Sequence, residues 1–188
     1  MASYHITNTQ LAEEQKWIAA AQKDPRHFGK IYEFYYKRIY LFIYKRVENE
    51  DVCADVTSQV FLKAMTNLNK FSFQGVPFSA WLYRIALNEV NMHYRNNKSQ
   101  ATESVESHQL AEMVEEGDDL FSEDNVQKLL QLLKHLPPDD MKLISLRFFE
   151  QMSFKEVAEI CEMTENNAKV RVYRILERLK KQFGPTKG

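Results

Sequence analysis

Apolar residues return every three or four positions along most of the chain, and nowhere do they alternate in the pattern of a strand. Leu11, Ile18 and Ala21 keep this rhythm over residues 10–23, until Asp24-Pro25 stops it. It resumes over 27–47 with Phe28, Ile31, Tyr35, Ile39, Phe42 and Ile43. After the polar Glu48-Asn49-Glu50, a third helix is predicted from Asp51 to Asn69. There Val52, Val56, Val60 and Ala64 recur every fourth residue, and Phe61, Met65 and Leu68 widen the stripe. "KFSFQGVPFSAW", with Gly75 and Pro77, reads as a loop. A fourth helix follows from Phe78 to Arg95, led by Trp81, Leu82, Ile85 and Met92. Four helices with apolar stripes predict a self-sufficient bundle of about a hundred residues.

Periodicity is lost over residues 98–124, which fill with Ser, Thr, Gln, Asp and Glu and predict a flexible linker. Helical spacing returns from Asn125 with Leu129, Leu130, Leu132, Leu133 and Leu136, and Pro137-Pro138 closes that segment. Asp139 and Asp140 suit the first turn of the next helix, which should run through Leu143, Ile144, Leu146 and Phe148. Ser153 and Glu156 have the spacing of a capping box, so another helix should start at Ser153, with Val157, Ala158 and Cys161 as its apolar side. Thr164 is an N-cap for the last helix, and Ala168, Val172, Ile175, Leu176 and Leu179 form its inward stripe. Only Glu162-Met163-Thr164 separates these two helices. The short turn and the basic second helix together predict a helix-turn-helix. The fold class expected is all-α, with two small helical domains, 1–97 and 125–188, joined by the acidic linker 98–124.

Charge changes this picture more than composition does. The formal net charge is only −1 over 188 residues, but it is segregated. Residues 1–99 carry 13 Lys/Arg against 9 Asp/Glu, residues 100–124 carry none against 9, and residues 125–188 carry 12 against 8. From Met163 onward the chain has 7 Lys/Arg and 2 acids. A merely solvated helix face would mix the signs, so the last helix is predicted to bind DNA. "MASYHITNTQ" has no signal-peptide pattern, and no apolar run reaches the length of a membrane span. Cys53 and Cys161 lie far apart in helical patterns, which suits incidental thiols in a reduced, cytoplasmic protein.

At this level the chain resembles a known family. "LKHLPPDDMKLISLRFFEQMSFKEVAEICEMTENNAKVRVYRILERLK" resembles region 4 of extracytoplasmic-function (ECF) sigma factors, whose second helix reads the −35 promoter element. "DVCADVTSQVFLKAM" resembles region 2.2, although Ser58-Gln59 stands where the family commonly carries Gln-Glu. "FSAWLYRIALNEVNMHYRNNK" resembles regions 2.3 and 2.4, which melt and read the −10 element. The likeness covers about residues 10–183 in order, with only the acidic linker where larger sigma factors carry a region 3 domain. It implies core RNA polymerase as partner, through its β′ clamp helices and β flap, along with promoter DNA and, as in many relatives, an anti-sigma factor. It also implies that the linker threads toward the polymerase active-site cleft, where its charge would mimic nucleic acid. Asp55, Ser58, Gln59 and Lys63 would meet the clamp helices.

The residues point the same way. Holding an unstacked base takes aromatic rings and amides beside positive charge. Phe73, Gln74 and Asn88 are the candidates for base contact near −10, with Asn91, Tyr94 and Arg95 further along the helix and the last two suited to backbone contact. The spacing of Trp81 with Leu82 and Ile85 makes it a core residue. At −35, Asn166, Asn167, Lys169 and Val170 should meet base edges. Arg171 could meet bases or phosphates, Tyr173 completes the set, and Arg174 and Arg178 should hold phosphates. The five histidines show no metal-ligand spacing with either cysteine, no phosphate-binding glycine loop appears, and no catalytic residue or cofactor is implied. The rival reading is a helix-turn-helix regulator whose first hundred residues sense a signal or dimerise.

Overall fold

The computed structural model describes residues 8–47, 49–73, 75–96 and 123–184. The chain divides into two compact units, Met1–Gln100 and Ala101–Gly188, and among the described residues both are built from helices without strands.

The first unit contains α1 (Asn8–Lys23), α2 (Gly29–Val47), α3 (Glu50–Thr66) and α4 (Phe78–Asn96). The helix expected over 27–47 begins instead with a separate 3₁₀ turn, Pro25–Phe28. Asp24 caps that turn by accepting from the Arg26 amide at 3.0 Å, and proline supplies the fixed φ of a first helical turn. α2 carries the core, with Ile31, Tyr35, Ile39, Phe42 and Ile43 almost wholly buried. α3 packs on both α2 and α4 through Cys53, Val56, Val60 and Ala64. It stops at Thr66 rather than Asn69, and a second 3₁₀ turn, Leu68–Lys70, leads into the loop. Met65, expected in the buried stripe, is exposed because it lies about 100° around α3 from Ala64, off the side that Val56, Val60 and Ala64 bury. Trp81 is buried as expected, against Phe71 and Phe78.

The second unit contains α5 (Glu123–Lys134), α6 (Pro138–Ile144), α7 (Phe154–Ile160) and α8 (Glu165–Phe183). The acidic segment expected as a linker lies outside the described residues except for Glu123 and Asp124, which already belong to α5. The helix expected through Phe148 ends at Ile144. Ser145–Phe149 widens into a π turn that keeps Leu146 buried and turns Phe148 outward. The Arg147 guanidinium then donates to the Met152 carbonyl at 2.8 Å and lies over the Phe154 ring, shaping the corner before α7.

The break between α7 and α8 has a local cause. Glu162 takes φ 53°, the left-handed conformation usually given to glycine. Around it the Met163 amide donates to the Ala158 carbonyl at 3.0 Å and the Glu162 amide to Glu159 at 3.4 Å. These are the paired bonds of a Schellman ending, which satisfy carbonyls the helix leaves open. The expected capping box is present, with Glu156 N–H on Ser153 Oγ at 3.2 Å and Ser153 N–H on Glu156 Oε2 at 2.8 Å. Thr164 Oγ1 accepts from the Asn167 amide at 3.2 Å and starts α8.

Candidate nucleic-acid and polymerase interfaces

On α8 the buried stripe of Ala168, Val172, Ile175 and Leu179 leaves two exposed sectors. At about 100° per residue, Asn166, Lys169, Val170 and Tyr173 share one of them. All four are exposed, Tyr173 at 52%, and its ring also leans on Phe154 of α7. The other sector holds Asn167, Arg171, Arg174 and Arg178. Asp140 at the start of α6 pairs with two of these, Arg171 at 3.5 Å and Arg178 in a shorter contact. Asp140 was legible in the sequence only as a residue favoured by the helix dipole. In the fold it neutralises part of the arginine flank and ties α6 to α8. Lys169 and Arg174 stand outside this arrangement.

The face of α3 that points away from the core carries Asp55, Ser58, Gln59 and Leu62, all exposed and within about 100° around the axis. Leu62 is 49% exposed and was not a sequence candidate. Its signal was available, because it lies seven residues after Asp55 and off the Val56-Val60-Ala64 stripe. Lys63 stands apart from the other three, with its ammonium 2.6 Å from the buried carboxylate of Glu89 on α4. That pair joins α3 to α4. Tyr32, Tyr36, Tyr40 and Tyr44 run along α2 at four-residue spacing, with neighbouring rings 5.1–6.2 Å apart.

The loop before α4 presents Phe73 at 43% exposure, while Val76 beside it is buried. Gly75 has φ 76°, a left-handed conformation that glycine adopts without the steric cost a side chain would carry. Gln74 lies outside the described residues. On α4, Asn88, Asn91 and Arg95 are exposed and fall within about 60° of one another, so they line one edge. Arg84 falls in the same sector. The spacing 84, 88, 91, 95 could have revealed it in the sequence. Tyr94 is turned elsewhere, and its hydroxyl donates to the Arg46 carbonyl at the end of α2. The structure therefore gives Tyr94 an intramolecular partner that a phosphate would have to displace.

Known proteins divide along the same lines. The Sigma-70 region 2 family matches residues 31–100, and the Sigma-70, region 4 family matches residues 126–179. The ECF RNA polymerase sigma factor BldN of Streptomyces coelicolor is 30% identical over 154 residues, which is 81% of this chain and 58% of that one. SigW of Bacillus subtilis, also an ECF RNA polymerase sigma factor, is 27% identical over 170 residues, covering 85% of this chain and 90% of its own. The solved structure of CnrH with the cytosolic domain of CnrY has a similar fold, with a TM-score of 0.59 at 21% identity over 88% of this chain and 94% of that one. The region 2 match removes the rival reading of the first unit as a sensor or dimerisation domain. Among the described residues no helix is long and apolar enough to cross a membrane. A region 2 match followed by a region 4 match, with relatives named as ECF RNA polymerase sigma factors aligned over 81% and 85% of the chain, places it in the extracytoplasmic-function RNA polymerase sigma factors, a non-enzymatic class that directs RNA polymerase to promoters.

Proposed function

We propose that the two units divide promoter recognition between them, each through the exposed face described above. The observation that carries this reading is the row Arg84, Asn88, Asn91 and Arg95, which starts beside a loop that holds an aromatic ring in solvent. Unstacking a base costs a few kcal/mol, and a ring at the loop tip with amides along the adjoining helix can offset that by stacking and hydrogen bonding. Phe73 and Asn88 take bases of the opened −10 strand, Asn91 follows, and Arg84 and Arg95 hold its backbone. Gln74 belongs to the same capture loop by its place in the chain.

At −35, α8 enters the major groove. Asn166, Lys169, Val170 and Tyr173 face base edges. Asn167, expected at base edges, shares the sector of the arginines and reaches phosphates with Arg174, joined by Arg171 and Arg178 when DNA competes with Asp140. Asp55, Ser58, Gln59 and Leu62 on α3 meet the clamp helices of core polymerase, with Lys63 at the margin. The units are joined by the acidic segment 98–124, and region 4 meets the β flap. The chain works by binding alone, in the cytoplasm, and an anti-sigma protein would silence it by covering either face.

The test is reconstitution of core polymerase with this protein on promoter DNA, read by where transcripts start and by permanganate reactivity at −10. Defined start sites with an opened −10 segment are expected. Asp55→Arg should remain folded and lose core polymerase in a pull-down. Equal recovery of polymerase by the folded variant would overturn the assignment of the α3 face.

A further inference from the structure

Helix α1 has no part in the contacts proposed so far, yet it carries two polar side chains that reach the capture loop from opposite ends. The Gln22 amide on α1 donates both its hydrogens to backbone carbonyls, Leu68 at 2.9 Å and Phe71 at 3.0 Å. Those carbonyls lie where the chain enters the loop. Eight residues earlier, Glu14 Oε1 accepts from the Phe78 amide at 3.1 Å, and also from the Tyr35 hydroxyl. Phe78 is the first residue of α4, where the loop ends and where helical N–H groups lack partners within the helix. Eight residues of helix span about 12 Å, and Glu14 and Gln22 project from the same side of it. The rings of Phe71 and Phe78 meet edge to face with centroids 4.9 Å apart, closing the base of the loop between the two anchors.

Glu14 is costly to keep in this place. It is 1% exposed, and its second oxygen, Oε2, is buried without a hydrogen-bond partner. An apolar residue of similar size would add more to the stability of the bundle than a desolvated carboxylate does. What an apolar residue could not do is hold the first N–H of α4.

We propose that Glu14 and Gln22 are positioning residues, and that α1 is a two-point brace that fixes the two ends of the loop, at Phe71 and Phe78, for base capture. The proposal rests on the reading that this loop takes the −10 strand. A loop with both ends fixed loses less conformational freedom when DNA arrives, so the brace acts on affinity for the opened strand. It leaves untouched the α3 face, which carries polymerase binding. The geometry also separates charge from position. Both donors sit on Oε1, so a neutral amide oxygen can replace it while the amide nitrogen occupies the place of Oε2.

The experiment uses the full chain with core polymerase and four variants: Gln22→Met, Glu14→Leu, Glu14→Gln and Phe73→Ala. The readouts are binding of a single-stranded −10 oligonucleotide by the holoenzyme, permanganate reactivity on duplex promoter, and recovery of core polymerase. Gln22→Met and Glu14→Leu should each weaken oligonucleotide binding roughly tenfold and slow opening to a similar degree, with polymerase recovery unchanged. Glu14→Gln should stay within about twofold of the parent, because it keeps the acceptor. Parent-like capture by both Gln22→Met and Glu14→Leu would overturn the brace. So would equal losses of capture and polymerase recovery in every α1 variant, Glu14→Gln included, since that describes a general packing defect. Phe73→Ala separates the two levels of the argument. If it lowers capture and the α1 variants do not, only the brace fails. If it leaves capture intact, the loop is not the capture site and the brace proposal falls with that reading.

Discussion

The two surfaces proposed to face DNA are made in different ways. On α8 the exposed residues follow from local chemistry: a Schellman ending stops α7, Thr164 restarts the chain as helix, and the apolar stripe sets which side faces out. Nearly every determinant lies within about 30 residues of sequence. The loop of the first unit proposed to capture bases depends on bonds across the fold, from Gln22 to Phe71 over 49 positions and from Glu14 to Phe78 over 64. A helix keeps its exposed face wherever its stripe is buried, whereas a loop keeps its shape only while distant anchors hold it. One surface is robust and readable, and the other is precise through its tertiary ties.

The strongest way to break this comparison is to unfold one surface without the other. Leu146→Ala removes a side chain with no exposure from the core of the second unit and should cost about 2–5 kcal/mol. Binding of −35 duplex should collapse while capture of a −10 oligonucleotide and recovery of polymerase persist. Joint loss of all three would mean that the units do not fold separately.

Two substitutions on α8 sharpen the division between reading and holding. Lys169→Ala should lose about 1–3 kcal/mol on the preferred −35 sequence and relax selectivity there. Arg174→Ala should weaken matched and scrambled duplexes alike and reduce the salt dependence by about one ion. Both are measured by duplex titration across salt. Identical behaviour of the two variants would erase the distinction between the sectors of α8.

A smaller effect is expected at Asp140. Asp140→Asn leaves the side chain in place and releases the charges of Arg171 and Arg178. Affinity for any duplex should rise by a few fold and the salt dependence should steepen by up to about two ions. The stability loss should stay within about 1 kcal/mol, because the arginine side chains are 37% and 47% exposed and water screens both pairs. Unchanged salt dependence would show that Asp140 does not hold those charges back from DNA.

The smallest effect belongs to the buried end of the brace. Burial pushes the Glu14 carboxyl above the ordinary range, against the lowering pull of the Tyr35 hydroxyl, the Phe78 amide and the Arg38 charge. Below about pH 4.3 the carboxyl is protonated whether the chain is folded or not. As pH rises the unfolded chain gives up this proton first, so the contribution of Glu14 to stability falls until the folded carboxyl ionises as well. Glu14→Gln has no such fall and should gain on the parent between acid and neutral pH. Denaturant unfolding at several pH values measures this difference, and a difference independent of pH would mean that the carboxylate is not desolvated.

Helix positions, caps and the basic character of α8 could be read from the sequence because each depends on neighbours within a few residues. The 3.6-residue rhythm named Ile31, Tyr35 and Ile39 as core, and Ser153 with Glu156 declared a helix start. The same rhythm misplaced Met65 and Phe148, since a stripe shows which side of a helix is apolar and not where its cover ends. Tyr94 suits a backbone contact by its place late in α4, and the sequence holds no sign of an intramolecular partner for its hydroxyl. Only the packing of α4 beside α2 gave it the Arg46 carbonyl. Asp140, Glu14 and Gln22 were opaque for the same reason. A polar side chain's role is set by which donor or acceptor the fold brings into hydrogen-bond or ion-pair reach, and those partners are 21–64 residues away. Local sequence decides what each segment can become. Long-range packing decides which of its polar groups stay exposed and which are committed to partners elsewhere in the fold.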